Sequence, residues 1–448
     1  MLSLEAARDK AIALVERARA AGADAADAIY LADASESVQV RLGKLEDVER
    51  SESEHIGLRV FCGRRSASIG STDLGEAALD ELADRAIAMA RLAPEDPYAG
   101  LAPEELLLRT APAELDLGDP HEPSPAELRA LAEAAEDAAR SVAGVTNSEG
   151  AGANAGAAIM ALATSHGFAG AYSGTSRGLS ASVIAGEGSG MQRDYAWRSA
   201  RFGADLPAPG EIGAMAGARA VARLEPGRLK SGPLPVVFDP RVGGSLVGHL
   251  IGAMSGSAIA RRASFLLDRL DEQLFDSGVT ITDDPLQRRG LRSRPFDGEG
   301  LAVSRRNLVE GGRLTGWLMD SAAARQLGLQ PTGHASRGAS GAPGVSASNV
   351  HLAAGTLSPA ALMADIADGV YVTEVIGHGV NGVTGDYSRG ASGIRIVNGE
   401  LAGPVAEFTI AGNLIDMFKA LTPANDLEWH RTINVPTIRV DGLTIAGD

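Results

Sequence analysis

Glycine is concentrated in one stretch of the sequence, and this stretch limits the structures that the chain can form. Six glycines alternate with small or polar residues, at Gly377, Gly379, Gly382, Gly385, Gly390 and Gly393. Glycine adopts backbone conformations that side chains forbid, and it lets another chain approach closely. Residues 393–397 then alternate like a half-buried strand, Asn398-Gly399 is typical of a hairpin turn, and residues 405–410 read as a returning strand. The pattern predicts a polar, glycine-rich loop mounted on a β-hairpin.

Five polar side chains are set among these glycines, and they are the candidate substrate- or partner-facing residues. They are His378, Asn381, Asp386, Tyr387 and Arg389. An arginine can hold a carboxylate through two parallel hydrogen bonds, and a neighbouring aspartate can orient it. The same side chains suit an internal network that only holds the loop. The sequence leaves both interpretations open.

The remaining chain mixes helical and strand patterns, which predicts an α+β fold in two domains. Residues 1–225 are predicted to form a mixed α/β domain whose two halves are joined by a proline- and acid-rich linker near residues 93–123. Alternation at 28–31 and 38–42 predicts two separate strands there. Residues 226–448 are predicted to form a strand-rich domain with a few helices. Within it, the Gly/Ser segment 331–346 predicts a loop that is mobile or ordered by a partner.

Composition excludes several classes of protein. Lys and Arg number 41 against 57 Asp and Glu, a net charge of −16, which disfavours a broad nucleic-acid interface. Cys62 is the only cysteine, so the chain has no internal disulfide and no cysteine-based zinc cluster. The N-terminal residues MLSLEAARDK lack the apolar segment of a signal peptide, and no apolar run is long enough to span a bilayer. We therefore expect a cytoplasmic protein without a membrane segment.

His249 is the one histidine in an apolar, glycine-rich helix predicted from about residue 242 to 254. A second metal ligand on the same helix face would lie three or four residues away. Those positions hold Ser245, Leu246, Gly252 and Ala253. None of them is a usual zinc ligand, so a site with three protein ligands is not expected on this helix. A single histidine in such a setting is more often a core or interface residue.

Several of these segments carry a family resemblance. The run GVNGVTGDYSRGASG at 379–393, with NGE at 398–400 and TIAGNL at 409–414, resembles the C-terminal signature of the TldD/PmbA family, more narrowly its TldE (PmbA) branch. The catalytic TldD branch carries an HExxxH zinc motif on the helix that corresponds to the one bearing His249. The resemblance places Gly244 at the first histidine and Ser245 at the glutamate, so His249 is a vestigial motif position. The catalytic branch's cysteine ligand is missing too, because Cys62 lies in the other predicted domain.

The resemblance implies a non-catalytic subunit of a heteromeric zinc metallopeptidase that cleaves unfolded or short peptides. A TldD-like partner would bring the zinc, while this chain, with no catalytic residue, metal or cofactor of its own, would close the cavity and hold the peptide. Without that partner the chain would be a monomer or a homodimer. Two alternatives remain open: a self-contained hydrolase with an unrecognised site, and a regulatory interaction protein, in line with the family's older description as a gyrase modulator.

Overall fold

The computed structural model describes residues 1–110 and 113–448. Residues 111 and 112 belong to the predicted linker, and that part of the linker lies outside the described residues. The helices are α1 (Leu4–Ala20), α2 (Glu76–Leu92), α3 (Pro125–Arg140), α4 (Pro209–Val221), α5 (Pro240–Ala253), α6 (Gly256–Ala260), α7 (Ser321–Leu327), α8 (Pro359–Met363) and α9 (Leu414–Lys419). The strands are β1 (Ala25–Arg41), β2 (Lys44–Cys62), β3 (Arg65–Ser71), β4 (Val145–Thr164), β5 (Ala169–Ala185), β6 (Gln192–Ala200), β7 (Gly232–Phe238), β8 (Ile281–Asp283), β9 (Arg306–Glu310), β10 (Arg313–Leu314), β11 (Ala335–Ser336), β12 (Gly344–Val345), β13 (Val350–Leu352), β14 (Asp368–Ile376), β15 (Asp386–Val397), β16 (Glu400–Asn413), β17 (Leu421–Pro423), β18 (Ile433–Asn434) and β19 (Ile438–Ala446). Across the two described ranges, no helix is long and apolar enough to cross a membrane.

The first half of the chain forms a six-stranded antiparallel sheet in the order β3-β2-β1-β4-β5-β6. Strand β1 pairs with β2 from Ala25 to Arg41 and with β4 from Asp27 to Val40. The prediction of two strands at 28–31 and 38–42 is therefore wrong. Because both neighbours continue the backbone hydrogen-bond ladder across the polar residues in between, one long strand forms instead.

The long strands carry two pairs of helices on one face. Helices α1 and α2 pack at one end through an apolar cluster that includes Leu14, Leu82 and Ile56, and α3 and α4 pack at the other end with Leu128 and Ile212. Helix α3 begins at a capping box, in which the Ser124 hydroxyl accepts from the Glu127 N–H while the Glu127 carboxylate accepts from the Ser124 N–H. The opposite face of the sheet packs against the second half of the chain, where Ile29 and Leu162 share a cluster with Phe296 and Leu301.

The second half is built on another six-stranded sheet, in the order β16-β15-β14-β7-β19-β17, and a further β16–β19 pairing closes it on itself. The predicted hairpin is present as β15 and β16, joined at Asn398-Gly399. A smaller sheet, β10-β9-β8-β13-β18, lies beside it, and a single large apolar core underlies both. The predicted α+β fold class is confirmed, while the domain boundary at residue 225 stays a prediction.

The segment 331–346 is ordered by contacts within the chain. It contains the two-stranded pairing of β11 with β12, and between these strands Arg337 extends into the first half of the chain. There the Arg337 guanidinium donates to the buried Asp27 carboxylate, which also accepts from Arg59 Nε at 2.9 Å. The expectation of a mobile or partner-ordered loop did not allow for this buried ion pair, whose other members lie some three hundred positions away in the sequence.

Candidate functional site

Helix α5 presents two different faces. Its N-cap is Asp239, whose side chain accepts from the Arg241 N–H at 2.8 Å, and Pro240 occupies the first turn. The apolar face, which includes Leu246 and Leu250, is buried in the core. The other face is only partly covered and carries Gly244, Ser245, Gly248, His249 and Gly252. Among these five residues, His249 has the only large side chain.

A cleft of about 270 Å³ lies between this face and the glycine-rich loop. On one side it is lined by His249 and its glycine neighbours on α5, and on the other by His378, Arg389 and the loop backbone. The segment that follows α6 supplies Phe265 to the lining. Three side chains selected from the sequence, at positions 249, 378 and 389, therefore meet at one cleft although 140 residues separate the first from the last.

The glycine-rich loop is held by its own hydrogen bonds. The Asn381 side-chain oxygen accepts from the N–H groups of Val383 at 2.9 Å and Thr384 at 3.3 Å. The Asp386 carboxylate accepts from the Thr384 hydroxyl at 2.6 Å and from Asn413 Nδ2 at 3.3 Å. These bonds, the hydroxyl first, lower the pKa of Asp386. The side chains of Asn381 and Asp386 thus form an internal network that holds the loop, and neither of them lines the cleft.

His249 and Tyr387 are in contact beneath the cleft. Their rings meet edge to face with centroids 6.3 Å apart. Burial raises the pKa of Tyr387 to about 12. Burial, and then the nearby Arg389 guanidinium, lower the pKa of His249, so its imidazole is neutral near pH 7. Among the described residues, neither His249 Nε2 nor the Tyr387 hydroxyl has a hydrogen-bond partner, although both atoms are buried.

The donor atoms around His249 do not fit a zinc ion. Structural and catalytic zinc sites take three or four ligands from Cys, His, Asp and Glu. Within the part of the chain that the structure describes, no group of three or more such side chains is arranged to hold a metal. His378 lines the same cleft but would be at most a second ligand. Glu374, the carboxylate nearest to His378 in the sequence, already accepts hydrogen bonds from Arg223 Nη2 at 2.5 Å and from the Ser392 hydroxyl at 3.0 Å.

The structure brings together four of the six residues selected from the sequence, His249, His378, Tyr387 and Arg389, and directs the other two into the loop. Sequence reasoning missed Phe265, whose N–H donates to the Gly382 carbonyl at 3.0 Å and ties the loop to the α6 side of the cleft. No chemical signal in the sequence marks this phenylalanine, because an apolar residue is equally typical of a core position.

Comparison with family models covers most of the chain in three consecutive parts. The PmbA/TldA metallopeptidase domain 1 matches residues 26–90, the central domain matches 118–224, and the C-terminal domain matches 231–447. The third match contains α5, the glycine-rich loop and the β15–β16 hairpin, so every element of the cleft falls within it.

Similar proteins and solved structures match the chain over nearly its whole length. The chain is 40% identical over 413 residues to metalloprotease PmbA of Escherichia coli O157:H7, covering 92% of this chain and 90% of the relative. It is 35% identical over 440 residues to a PmbA homologue of Haemophilus influenzae, covering 97% and 94%. A Bacteroides thetaiotaomicron crystal structure, solved as a candidate modulator of DNA gyrase, superposes with a TM-score of 0.91 at 26% identity and full coverage of both chains. The crystal structure of TldE from Thermococcus kodakarensis superposes with a TM-score of 0.87 at 20% identity, covering 98% and 100%, and supports the fold.

Proposed function

This chain belongs to the PmbA/TldD metallopeptidase family, in which its relatives carry the name PmbA, and we propose that it is the non-catalytic subunit of a two-chain zinc peptidase. A second family member would supply the zinc and the general base. This chain would close the cavity over the metal and hold an unfolded or short peptide.

One observation carries the proposal, namely that the open cleft at α5 is lined by His249, His378 and Arg389, while the described residues offer no group of donors arranged to hold a metal. His249, the one histidine that α5 contributes to the cleft, packs against Tyr387. The helix positions three and four residues away on either side hold serine, leucine, glycine and alanine. The proposal therefore takes the general base and the zinc-bound water from another chain.

The residues of this cleft are suited to binding a peptide. Arg389 donates from Nε to the Ile376 carbonyl at 3.2 Å, and among the described residues no carboxylate lies within ion-pair distance of its guanidinium. Its outer amino groups are free to bind a peptide carbonyl or carboxylate. His378 is exposed at the same rim. Opposite them, a Cβ added at Gly252 would meet nothing within 4 Å, so the helix leaves room for a backbone to approach.

The experiment that tests this function compares three samples: this chain, an HExxxH-bearing member of the same family, and an equimolar mixture of the two. Each is assayed for bound zinc and for cleavage of an unfolded peptide. We expect cleavage only in the mixture, with zinc retained by the partner. Peptide cleavage by this chain alone, together with one tightly bound zinc per chain, would instead establish the self-contained hydrolase.

A variant pair separates peptide binding from assembly. Arg389→Gln removes the charge in the cleft, and we expect kcat/KM of the mixture to fall about ten-fold with assembly unchanged. Arg395→Gln is the matched control because Arg395 lies on the same strand, is half exposed and pairs with Asp368 at 2.9 Å away from the cleft. Equal activity of the two variants would remove Arg389 from the proposed site.

A further inference from the structure

A second cleft, of about 400 Å³, lies between strand β6 and the segment 428–434, and it is rich in arginine. Five arginines line it: Arg198, Arg201, Arg288, Arg289 and Arg431. The chain as a whole carries a net charge of −16, so this concentration of cations runs against the overall charge. Such a local reversal of sign in a concave site attracts anions.

Two of these arginines are already neutralised at the rim. Arg289 donates to Asp116 at 2.7 Å and to Asp205 at 3.1 Å, and Arg288 donates to the same Asp116 at 3.0 Å. The outer part of the cleft is therefore balanced by carboxylates. A polyanion such as nucleic acid would meet these acids as well as the arginines, which disfavours it relative to a single small anionic group.

The inner arginines are not neutralised in this way. Arg201 donates to the carbonyls of Thr175, Gly290 and Leu291 at 3.0, 3.2 and 2.6 Å, so its charge is held by neutral groups. The only carboxylate near Arg198 in the described chain is Glu428, at 3.6 Å, and that side chain is 69% exposed. Arg201 is thus held by neutral groups alone, while Arg198 has one exposed carboxylate partner, Glu428, which also lines the cleft.

Arg431 is the residue best placed to bind a ligand. Its guanidinium lies over the Trp197 ring, 4.6 Å from the centroid, and its Nε donates to His430 Nε2 at 3.3 Å. Stacking and this bond fix the plane of the guanidinium. Over residues 1–110 and 113–448 no acceptor is found for its two outer amino groups and no carboxylate lies within 4 Å. A fixed, planar, unpaired guanidinium matches the two oxygens of a carboxylate.

The cleft also offers an apolar surface next to this guanidinium. Trp429 lines the cleft, is 53% exposed and packs against His351 with ring centroids 4.7 Å apart. An exposed tryptophan beside an unpaired arginine provides contacts for an apolar side chain and a carboxylate on the same residue. The last residue of a peptide carries both groups.

We propose that this cleft binds the C-terminal carboxylate of a peptide, with Arg431 and Arg198 holding the carboxylate and Trp429 contacting the last side chain. The inference rests on the proposed function, because it assigns the peptide that this subunit would hold. It adds a preference for free C-termini with an apolar final residue.

Tryptophan fluorescence of the isolated chain measures this binding without any partner. The chain has three tryptophans: Trp429 lines the cleft, Trp197 stacks on the cleft residue Arg431, and Trp317 is buried in the core. The probes are an N-acetylated pentapeptide of four alanines and a final leucine, its C-terminal amide, and an amide with one internal glutamate. We expect the free acid to bind at least ten-fold more tightly than either amide, and less tightly as salt is raised. Equal binding of acid and amides, or no binding of the acid, would overturn the inference.

Variants assign the binding to the cleft. Arg431→Gln is expected to weaken binding of the acid about ten-fold, and Arg198→Gln tests the same site independently if the first variant fails to fold. Arg193→Gln is the control, since Arg193 lies on the same strand with a 61% exposed side chain paired to Glu149. Unchanged affinity in the two cleft variants would place the peptide elsewhere and overturn the inference.

The binding assay on the isolated chain and the cleavage assay on the mixture can fail independently of each other. If the two-chain mixture cleaves peptides but the acid does not bind to the isolated chain, only the present inference is lost. If the acid binds as expected but the mixture does not cleave, only the proposed function is lost.

Discussion

The imidazole of His249 and the phenol of Tyr387 meet edge to face, with ring centroids 6.3 Å apart and ring planes at 78°. Each ring brings a buried polar atom for which the described chain offers no partner, Nε2 on the histidine and the hydroxyl on the tyrosine. In place of a metal site, the cleft floor therefore contains an aromatic contact with two unused polar groups.

Replacing Tyr387 by phenylalanine should not destabilise the isolated chain. The variant removes a buried hydroxyl that has no hydrogen-bond partner among the described residues, so we expect the free energy of unfolding to stay the same or rise by about 1 kcal/mol. Tyr371→Phe is the matched comparison, because the Tyr371 hydroxyl donates to Asp239 at 3.1 Å and its loss should cost about 1 kcal/mol. Urea denaturation of both variants measures the difference. An equal loss in the two would mean that Tyr387 has a bonding partner.

Two glycines of the loop should differ in their tolerance of alanine. A Cβ at Gly379 would lie 1.8 Å from the Ser388 carbonyl oxygen, and the backbone bond from the Ser388 N–H to the Gly379 carbonyl, 2.6 Å long, would have to break. We expect Gly379→Ala to lower the free energy of unfolding by about 2 kcal/mol or more. A Cβ at Gly382 meets nothing within 4 Å, so Gly382→Ala should stay within about 0.5 kcal/mol of the wild type. Similar values for the two would show that the loop relaxes freely.

Breaking the buried ion pair between the two halves of the chain should be strongly destabilising. Arg337, with a fully buried side chain, and Arg59 share the Asp27 carboxylate. Burial opposes ionisation of Asp27, but Arg337 and then Arg59 outweigh it and lower its pKa. Arg337→Leu leaves the buried Asp27 with one partner, and we expect a loss of about 3 kcal/mol in urea denaturation.

Arg395→Leu is the surface control for that experiment. Arg395 and Asp368 are about half exposed, so the solvent-screened pair should contribute less than about 1 kcal/mol. A loss at Arg337 no larger than the loss at Arg395 would contradict the assignment of residues 331–346 to the interface between the two halves.

His430 should make the stability of the chain depend on pH. Burial, and then the charges of Arg198, Arg431 and Arg219, lower the pKa of His430 to about 4. Because this folded-state value lies below the ordinary value of 6.5, the contribution is fully present above pH 6.5 and is lost as the pH falls towards about 4. We expect the wild type to lose up to about 3 kcal/mol over that range through this residue, and His430→Gln to lose correspondingly less.

Urea denaturation at a series of pH values from 7 to 4 measures this effect. His121→Gln is the control, because the His121 side chain is 63% exposed. Parallel pH profiles for the wild type and His430→Gln would show that His430 is protonated in the folded chain without penalty.

Local sequence patterns predicted the elements that local chemistry controls. The predicted β15–β16 hairpin turns at Asn398-Gly399, because such a turn depends on residues a few positions apart. The same patterns failed at β1, where pairing with β2 and β4 extends a strand through residues that alternate poorly. They also failed at Arg337, whose buried partner is remote in the sequence.

The sequence by itself determined the family, the α+β class, the glycine-rich loop and the isolation of His249 on its helix, since all of these follow from residue identity and short spacing. Only the tertiary structure decided that His249 contacts Tyr387 and that Arg198 and Arg431 line one cleft. It also decided that the side chains of Asn381 and Asp386 form hydrogen bonds that hold the loop. The physical reason is that the energy of a charged or aromatic contact depends on distance and burial. Those quantities become defined only when strands and loops far apart in the chain pack against each other.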